Sequence, residues 1–122
     1  MYKLIFEDNF SAAHLILGYK GNCSRLHGHN YKVRVYIKKE KLDSLGMVMD
    51  FSKIKEALSS IILSLDHKNL GDIPPFDKIQ QTSENIAFYI FNELSKKIDG
   101  LYEVRISEKE GRWAGYSKES NE

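Results

Sequence analysis

The stretch CSRLHGHNYKVRVYIK, residues 23–38, changes character halfway along. From Asn30 onward apolar and polar residues alternate: Tyr31, Val33, Val35 and Ile37 share one parity, Lys32 and Arg34 the other. Side chains two apart on a strand point to the same face, so this is the pattern of a half-buried β-strand over roughly 29–38. His27 and His29 continue the apolar parity, provided no bulge intervenes. Upstream, Leu4, Phe6, Phe10 and Ala12 alternate in the same way across residues 2–14, with Asp8 the exception. His14 closes that run on the same parity.

The parities put three histidines at one end of one sheet. On a strand, His27 and His29 stand ~6–7 Å apart, near enough for two imidazoles to lean onto one ion. His14, on the neighbouring strand, offers a third nitrogen. Three histidines with an open fourth position describe a catalytic zinc site. Gly28 leaves room for a bulge or a ligand. The plain alternative is a polar strand start with hydrogen-bonded histidines. Cys23, the sole cysteine, allows three readings. It is a fourth ligand that closes a structural zinc site, a thiolate base or nucleophile near an open one, or an inert buried thiol. The Gly/Asn/Ser-rich loop around it argues against deep burial.

Two helices follow. Asp50 is a candidate N-cap, and Phe51, Ile54, Leu58, Ile61, Ile62 and Leu65 recur every three or four residues. Pro74 and Pro75 make residues 66–81 a loop. Thr82 or Ser83 caps the second helix, with Ile86, Ala87, Ile90, Phe91, Leu94 and Ile98 as its stripe and Asp99-Gly100 as its end. A third strand sets Tyr102, Val104 and Ile106 on one face, and a short fourth runs from Trp113 to Tyr116. The order ββααββ predicts an α+β fold, a four-stranded antiparallel sheet with two helices on one face. Its two open edges invite pairing with other copies of the chain.

Two carboxylates join the candidate site. Asp66 precedes His67 at the end of the first helix, where a carboxylate can set a histidine's tautomer and basicity. The alternative is a surface pair at a helix terminus. Glu108 continues the apolar parity of Val104 and Ile106. Buried, it needs a partner with donors, such as the paired N–H groups of a pterin or guanine edge. Otherwise it is solvated in the turn.

The bulk numbers set bounds. A chain of 122 residues suits one domain, and 42% apolar residues are enough for a core. Lys and Arg number 18 against 17 for Asp and Glu, with no basic block, so nucleic acid is not an expected partner. No stretch reaches the ~18 apolar residues of a membrane span. MYKLIFEDNF does not read as a signal peptide, because acidic residues follow the short apolar run. A lone cysteine forms no intrachain disulfide, which points to a reducing, cytoplasmic setting.

The pieces FSAAH (10–14), CSRLHGHNY (23–31), GMVMDFSKIK (46–55), LDHKNL (65–70), DIPPFDKI (72–79), TSENIA (82–87) and VRISE (104–108) together resemble the 6-pyruvoyltetrahydropterin synthase family. Within it the chain looks most like the bacterial 6-carboxy-5,6,7,8-tetrahydropterin synthases of queuosine biosynthesis. The resemblance runs in family order over nearly the whole chain. It implies a tunnelling fold over residues 1–118, with 119–122 a frayed tail. It implies three sheets joined into a twelve-stranded barrel, two such trimers stacked as a hexamer, and active sites at subunit interfaces. It places Zn2+ on His14, His27 and His29 and makes Cys23 a catalytic base. Asp66 and His67 join Cys23 in catalysis. Glu108 anchors the pterin, with Thr82 and Ser83 in the same pocket. The three residues between Cys23 and His27 go with the carboxy-tetrahydropterin branch, whose substrate is a pterin triphosphate. The runner-up is the pyruvoyl-forming synthase, and outside catalysis a zinc- or pterin-binding module. Gly71, where the family often has Asn, and Gln80-Gln81, where Asn-Pro is frequent, depart from the pattern and bear on loop shape.

Overall fold

Strand parity carries into the three-dimensional structure, a computed structural model that describes residues 1–18 and 25–118. Strands β1 (Tyr2–His14) and β2 (His27–Lys39) pair antiparallel without a slip, from Tyr2↔Lys39 to His14↔His27. No bulge intervenes, so His27 and His29 keep the parity of Tyr31 and Val33. Strand β4 (Leu101–Lys109) pairs with β2, and β5 (Arg112–Ser117) with β4, both antiparallel.

Helices α1 (Phe51–Leu63) and α2 (Ser83–Ser95) start on their expected caps. Asp50 accepts from the Ser52 N–H, and Thr82 from the Asn85 N–H. Ile54, Leu58, Ile61 and Ile62 of α1 join Ile86, Ala87, Ile90, Phe91 and Leu94 of α2 in one core with Tyr31, Val33, Val35 and Ile37 of β2. Each buried Leu or Ile contributes roughly 1.5–3 kcal/mol by leaving water. That burial, more than helix propensity, holds both helices on this face. None of the helices among the described residues is long and apolar enough to cross a membrane.

Besides α2 ending at Ser95, short of the expected Asp99-Gly100, three details differ from expectation. The sheet is five-stranded and mixed, in the order β3-β1-β2-β4-β5, where four antiparallel strands and the order ββααββ were expected. The added strand β3 (Lys68–Asn69) lies parallel to β1 at Ala12–Ala13 and leads into a 3-10 turn, Leu70–Asp72, that buries Leu70. Two residues are too few to show a period, so this stretch reads as loop. Secondly, the β2–β4 register shifts between Tyr36 and Ile37, so that Leu101, not Tyr102, faces the core opposite Ile37. Tyr102 instead meets Tyr36 edge-on at 6.0 Å. Thirdly, Phe51, the first residue of the α1 stripe, stays half exposed. The tail at 119–122 lies outside the described residues.

Gly100 makes that β2–β4 junction possible. Its φ is +86°, and a Cβ there would lie 2.8 Å from the Lys38 carbonyl oxygen, a backbone atom with little room to move. The Gly100 carbonyl also accepts from the Lys38 N–H at 2.9 Å. Gly100→Ala should therefore destabilise the fold by more than about 1 kcal/mol in urea unfolding. An unchanged midpoint would mean that the turn can lift off β2 freely.

Candidate metal centre and active site

The β1–β2 register sets His14 directly opposite His27, and His29 opposite Ala12. The three rings meet edge to face, with centroids 4.6 Å (His14–His27), 4.9 Å (His14–His29) and 4.7 Å (His27–His29) apart. One ring nitrogen from each falls within 4.8 Å of the others. His14 is fully buried, while His27 and His29 are partly open.

Main-chain carbonyls decide which nitrogens face inward. His14 Nδ1 lies 2.6 Å from the Gln81 carbonyl oxygen, and His27 Nδ1 lies 2.5 Å from that of Arg25. A carbonyl only accepts, so each Nδ1 carries the proton and each Nε2 keeps its lone pair. Those two Nε2 atoms stand 3.1 Å apart. His29 Nε2 is buried with no hydrogen-bond partner, and burial holds the His29 pKa below its ordinary value. Glu108 opposes that shift, and His14 and His27 add to it. With these tautomers the Nε2 atoms of His14 and His27 point at one another, an arrangement that calls for a proton or a cation between them. A proton can serve two nitrogens; a metal ion serves all three. Two nitrogens each ~2.0–2.1 Å from a tetrahedral zinc would lie roughly 3.3 Å apart; the His14–His27 pair, at 3.1 Å, is near that spacing, and all three nitrogens stay within 4.8 Å of one another. The donor set fits the ion.

The open side of the cluster faces a carboxylate. Glu108 Oε2 lies 3.6 Å from His14 Nε2 and 3.8 Å from His29 Nε2. Ser83 Oγ, at the start of α2, reaches the same oxygen at 3.4 Å. Of the two expected pocket residues, Ser83 therefore meets Glu108, while the Thr82 hydroxyl is engaged as the helix cap. Tyr31 packs behind the rings, edge-on to His14 and His29, and its buried hydroxyl has no partner. Burial and the Glu108 charge hold the Tyr31 pKa well above its ordinary value.

His67, with Asp66 beside it, lines a second cleft. It measures about 450 Å³ and runs along Ser11, Ala13, Gly28, Asn30, Lys68 and the rim of His29. His67 Nδ1 is 3.0 Å from Asp66 Oδ2, and the ring is 81% exposed, free to meet a ligand or another chain. The His67 backbone has φ 58°, a left-handed conformation that costs a non-glycine residue about 1–3 kcal/mol. Its N–H bonds to the Ser11 carbonyl oxygen, and Asp66 accepts from the Ser11 N–H at 2.8 Å. That backbone donor holds the Asp66 carboxyl below the usual aspartate range, with His67 adding to the effect. Cys23 lies outside the described residues. Sequence reasoning missed the carbonyls of Gln81 and Arg25, which act through main-chain atoms common to every residue type.

Fold and cluster together define an α+β protein with a three-histidine centre able to hold a metal ion at the end of its sheet. Residues 3–119 match the family described as 6-pyruvoyl tetrahydropterin synthase. The chain belongs to the 6-pyruvoyl tetrahydropterin synthase family. It is 42% identical over 111 residues to an Archaeoglobus fulgidus protein provisionally named 6-carboxy-5,6,7,8-tetrahydropterin synthase, covering 88% of this chain and 89% of that one. It is 38% identical over 114 residues to the Synechocystis protein of that name, covering 88% and 87% respectively. The solved structure of Caenorhabditis elegans 6-pyruvoyl tetrahydropterin synthase superposes with a TM-score of 0.88 at 32% identity, covering 97% of this chain and 96% of that one.

Two predictions follow from this geometry. His27→Ala and His29→Ala should each weaken Zn2+ or Co2+ binding by more than the ~10–100-fold that loss of an outer-sphere partner costs. Titration of the metal-free protein measures it, and retained affinity would dismiss the cluster as a metal site. The second concerns Asp66. Its folded pKa is depressed, so its contribution to stability is present above the unfolded value and is lost as pH falls through the folded one. The stability gap between the native chain and Asp66→Asn should be constant above about pH 5. It should close as pH drops below 3.8. A gap that does not respond to acid would mean the Ser11–Asp66 link carries no weight.

Proposed function

We propose that this protein is a zinc-dependent 6-carboxy-5,6,7,8-tetrahydropterin synthase. It converts 7,8-dihydroneopterin triphosphate and one water to 6-carboxy-5,6,7,8-tetrahydropterin, releasing acetaldehyde and triphosphate, in queuosine biosynthesis. The observation that carries this reading is the three-histidine cluster beside Glu108 in a chain of this family. The three-residue spacer between Cys23 and His27 supports the carboxy product over the pyruvoyl one.

Zinc held by His14, His27 and His29 supplies a Lewis acid for the substrate's side-chain oxygens. Cys23, as thiolate, takes a proton from the substrate side chain. Asp66 and His67 return one on the opposite side. Asp66 suits that task because it stays ionised and bonds His67 Nδ1, leaving Nε2 as the basic nitrogen. Glu108 accepts the paired N–H donors of the pterin edge, with Ser83 orienting the carboxylate and Thr82 shaping the same wall. Such bidentate pairing positions the ring and selects it over rings lacking those donors.

The proposed working form is a hexamer of two stacked trimers, each a twelve-stranded barrel, in the cytoplasm. Each subunit is one tunnelling-fold domain over residues 1–118. The exposed His67 ring, held by Asp66, suits service at a subunit interface.

Incubating the zinc-loaded protein with dihydroneopterin triphosphate and weighing the pterin product tests the reading. The carboxy product with acetaldehyde is expected. Cys23→Ala should cut turnover ~10²–10⁴-fold while zinc content stays unchanged. A pyruvoyl product would transfer the assignment to 6-pyruvoyltetrahydropterin synthase, and no consumption would remove both.

A further inference from the structure

We propose that Gln81 is a positioning residue for the metal ligand His14, and that Gly71 is the position that makes room for it. The inference rests on reading the three histidines as a metal centre.

His14 is the last residue of β1, where a strand would otherwise fray. Gln81, buried at 8% exposure, grips that end twice. Its carbonyl accepts from His14 Nδ1 at 2.6 Å, and its side-chain Oε1 accepts from the Leu15 N–H at 3.1 Å. The amide's other end, Nε2, donates to the Phe76 carbonyl at 3.4 Å. The side chain thereby ties the chain after β1 to the loop before α2. Its own carbonyl then sets the His14 tautomer and aims Nε2 at His27. Gln80 extends the clasp by one step. Its Oε1 accepts from the Leu17 N–H at 3.0 Å, and its Nε2 donates to the Leu17 carbonyl at 2.7 Å.

Gly71 lies directly against this amide. A Cβ at Gly71 would stand 3.0 Å from Gln81 Nε2 and 3.4 Å from Asn69 Oδ1. Asn69 Oδ1 cannot retreat without cost, because it accepts from the Gly71 N–H at 3.0 Å and caps the 3-10 turn. A side chain at position 71 therefore pushes on Gln81, and through it on the backbone that orients His14. Partners that orient a metal-bound histidine typically account for ~10–100-fold in metal affinity.

The test is Co2+ titration, read by the ligand-field absorption of the bound ion, on the native chain, Gln81→Met, Gly71→Val and the double variant. Met keeps the length of Gln81 and removes both ends of its hydrogen bonding. Circular dichroism selects a temperature at which all four are folded; if Gln81→Met does not fold, Gln81→Leu, which likewise removes both side-chain hydrogen bonds, takes its place. Each single variant should bind Co2+ ~10–100-fold more weakly. Gly71→Val should add little in the Gln81→Met background, because both act through one contact. Nitrogen-15 NMR of the metal-free protein should show the His14 Nδ1–H tautomer in the native chain and tautomer exchange in Gln81→Met, a change that general loosening of the core would not confine to His14. Native-like Co2+ affinity in a folded Gln81 variant overturns the proposal and leaves the metal centre standing. A native chain that binds no Co2+ overturns both.

Discussion

The unbroken register of β1 against β2 is the constraint on which the rest of the molecule depends. Pairing runs from Tyr2↔Lys39 to His14↔His27 with no bulge. Because side chains alternate with period two, a slip of one residue would turn Phe10, Ala12 and His14 out of the core together. The same ladder that buries Tyr31, Val33 and Val35 therefore delivers His14, His27 and His29 to one face at one end. Core packing and site assembly are one requirement here. Any sequence change that moves the hydrophobic register moves the metal ligands with it.

The site carries a cost that the fold alone does not explain. Three rings crowd their nitrogens within 4.8 Å, with Glu108 aimed at the same point and His29 Nε2 without a partner. Buried polar groups left unsatisfied cost on the order of 1–3 kcal/mol each. The carbonyls of Gln81 and Arg25 fix the tautomers that aim the Nε2 atoms of His14 and His27 at the same point. All of these terms change sign when a cation occupies the centre. His67 adds a second local expense in its left-handed backbone. Strain gathered at these two places supports their proposed place in the active site.

Much of this was legible in the chain. Alternation located four strands, the three-and-four spacing located both helices, and Asp50 and Thr82 were recognisable caps. Shared parity was enough to place His14 with His27 and His29, and Glu108 with Ile106. What escaped has a common origin. Strand β3 is two residues long and shows no period. The shift that brings Leu101 to the core in place of Tyr102 depends on where Gly100 docks on Lys38, a contact between separate strands. Gly71 and Gln81 stood out in the sequence as two unrelated departures from the family pattern. In the structure they touch.

By itself the sequence determined which residues share a face wherever an element runs without a slip, since the periods of strand and helix are properties of a continuous stretch of chain; at Tyr102 the register shift broke that reading. Only the tertiary structure decided how the faces are used. The proton on His14 is placed by a carbonyl 67 positions away, the turn at Leu70–Asp72 sets the room left for that carbonyl's own side chain, and Asp66 holds its charge through the N–H of Ser11. Hydrogen bonds of this kind join a side chain to a backbone atom of a kind shared by nearly every residue type. No residue type announces them, and they come into being when the sheet and the loop before α2 close around His14.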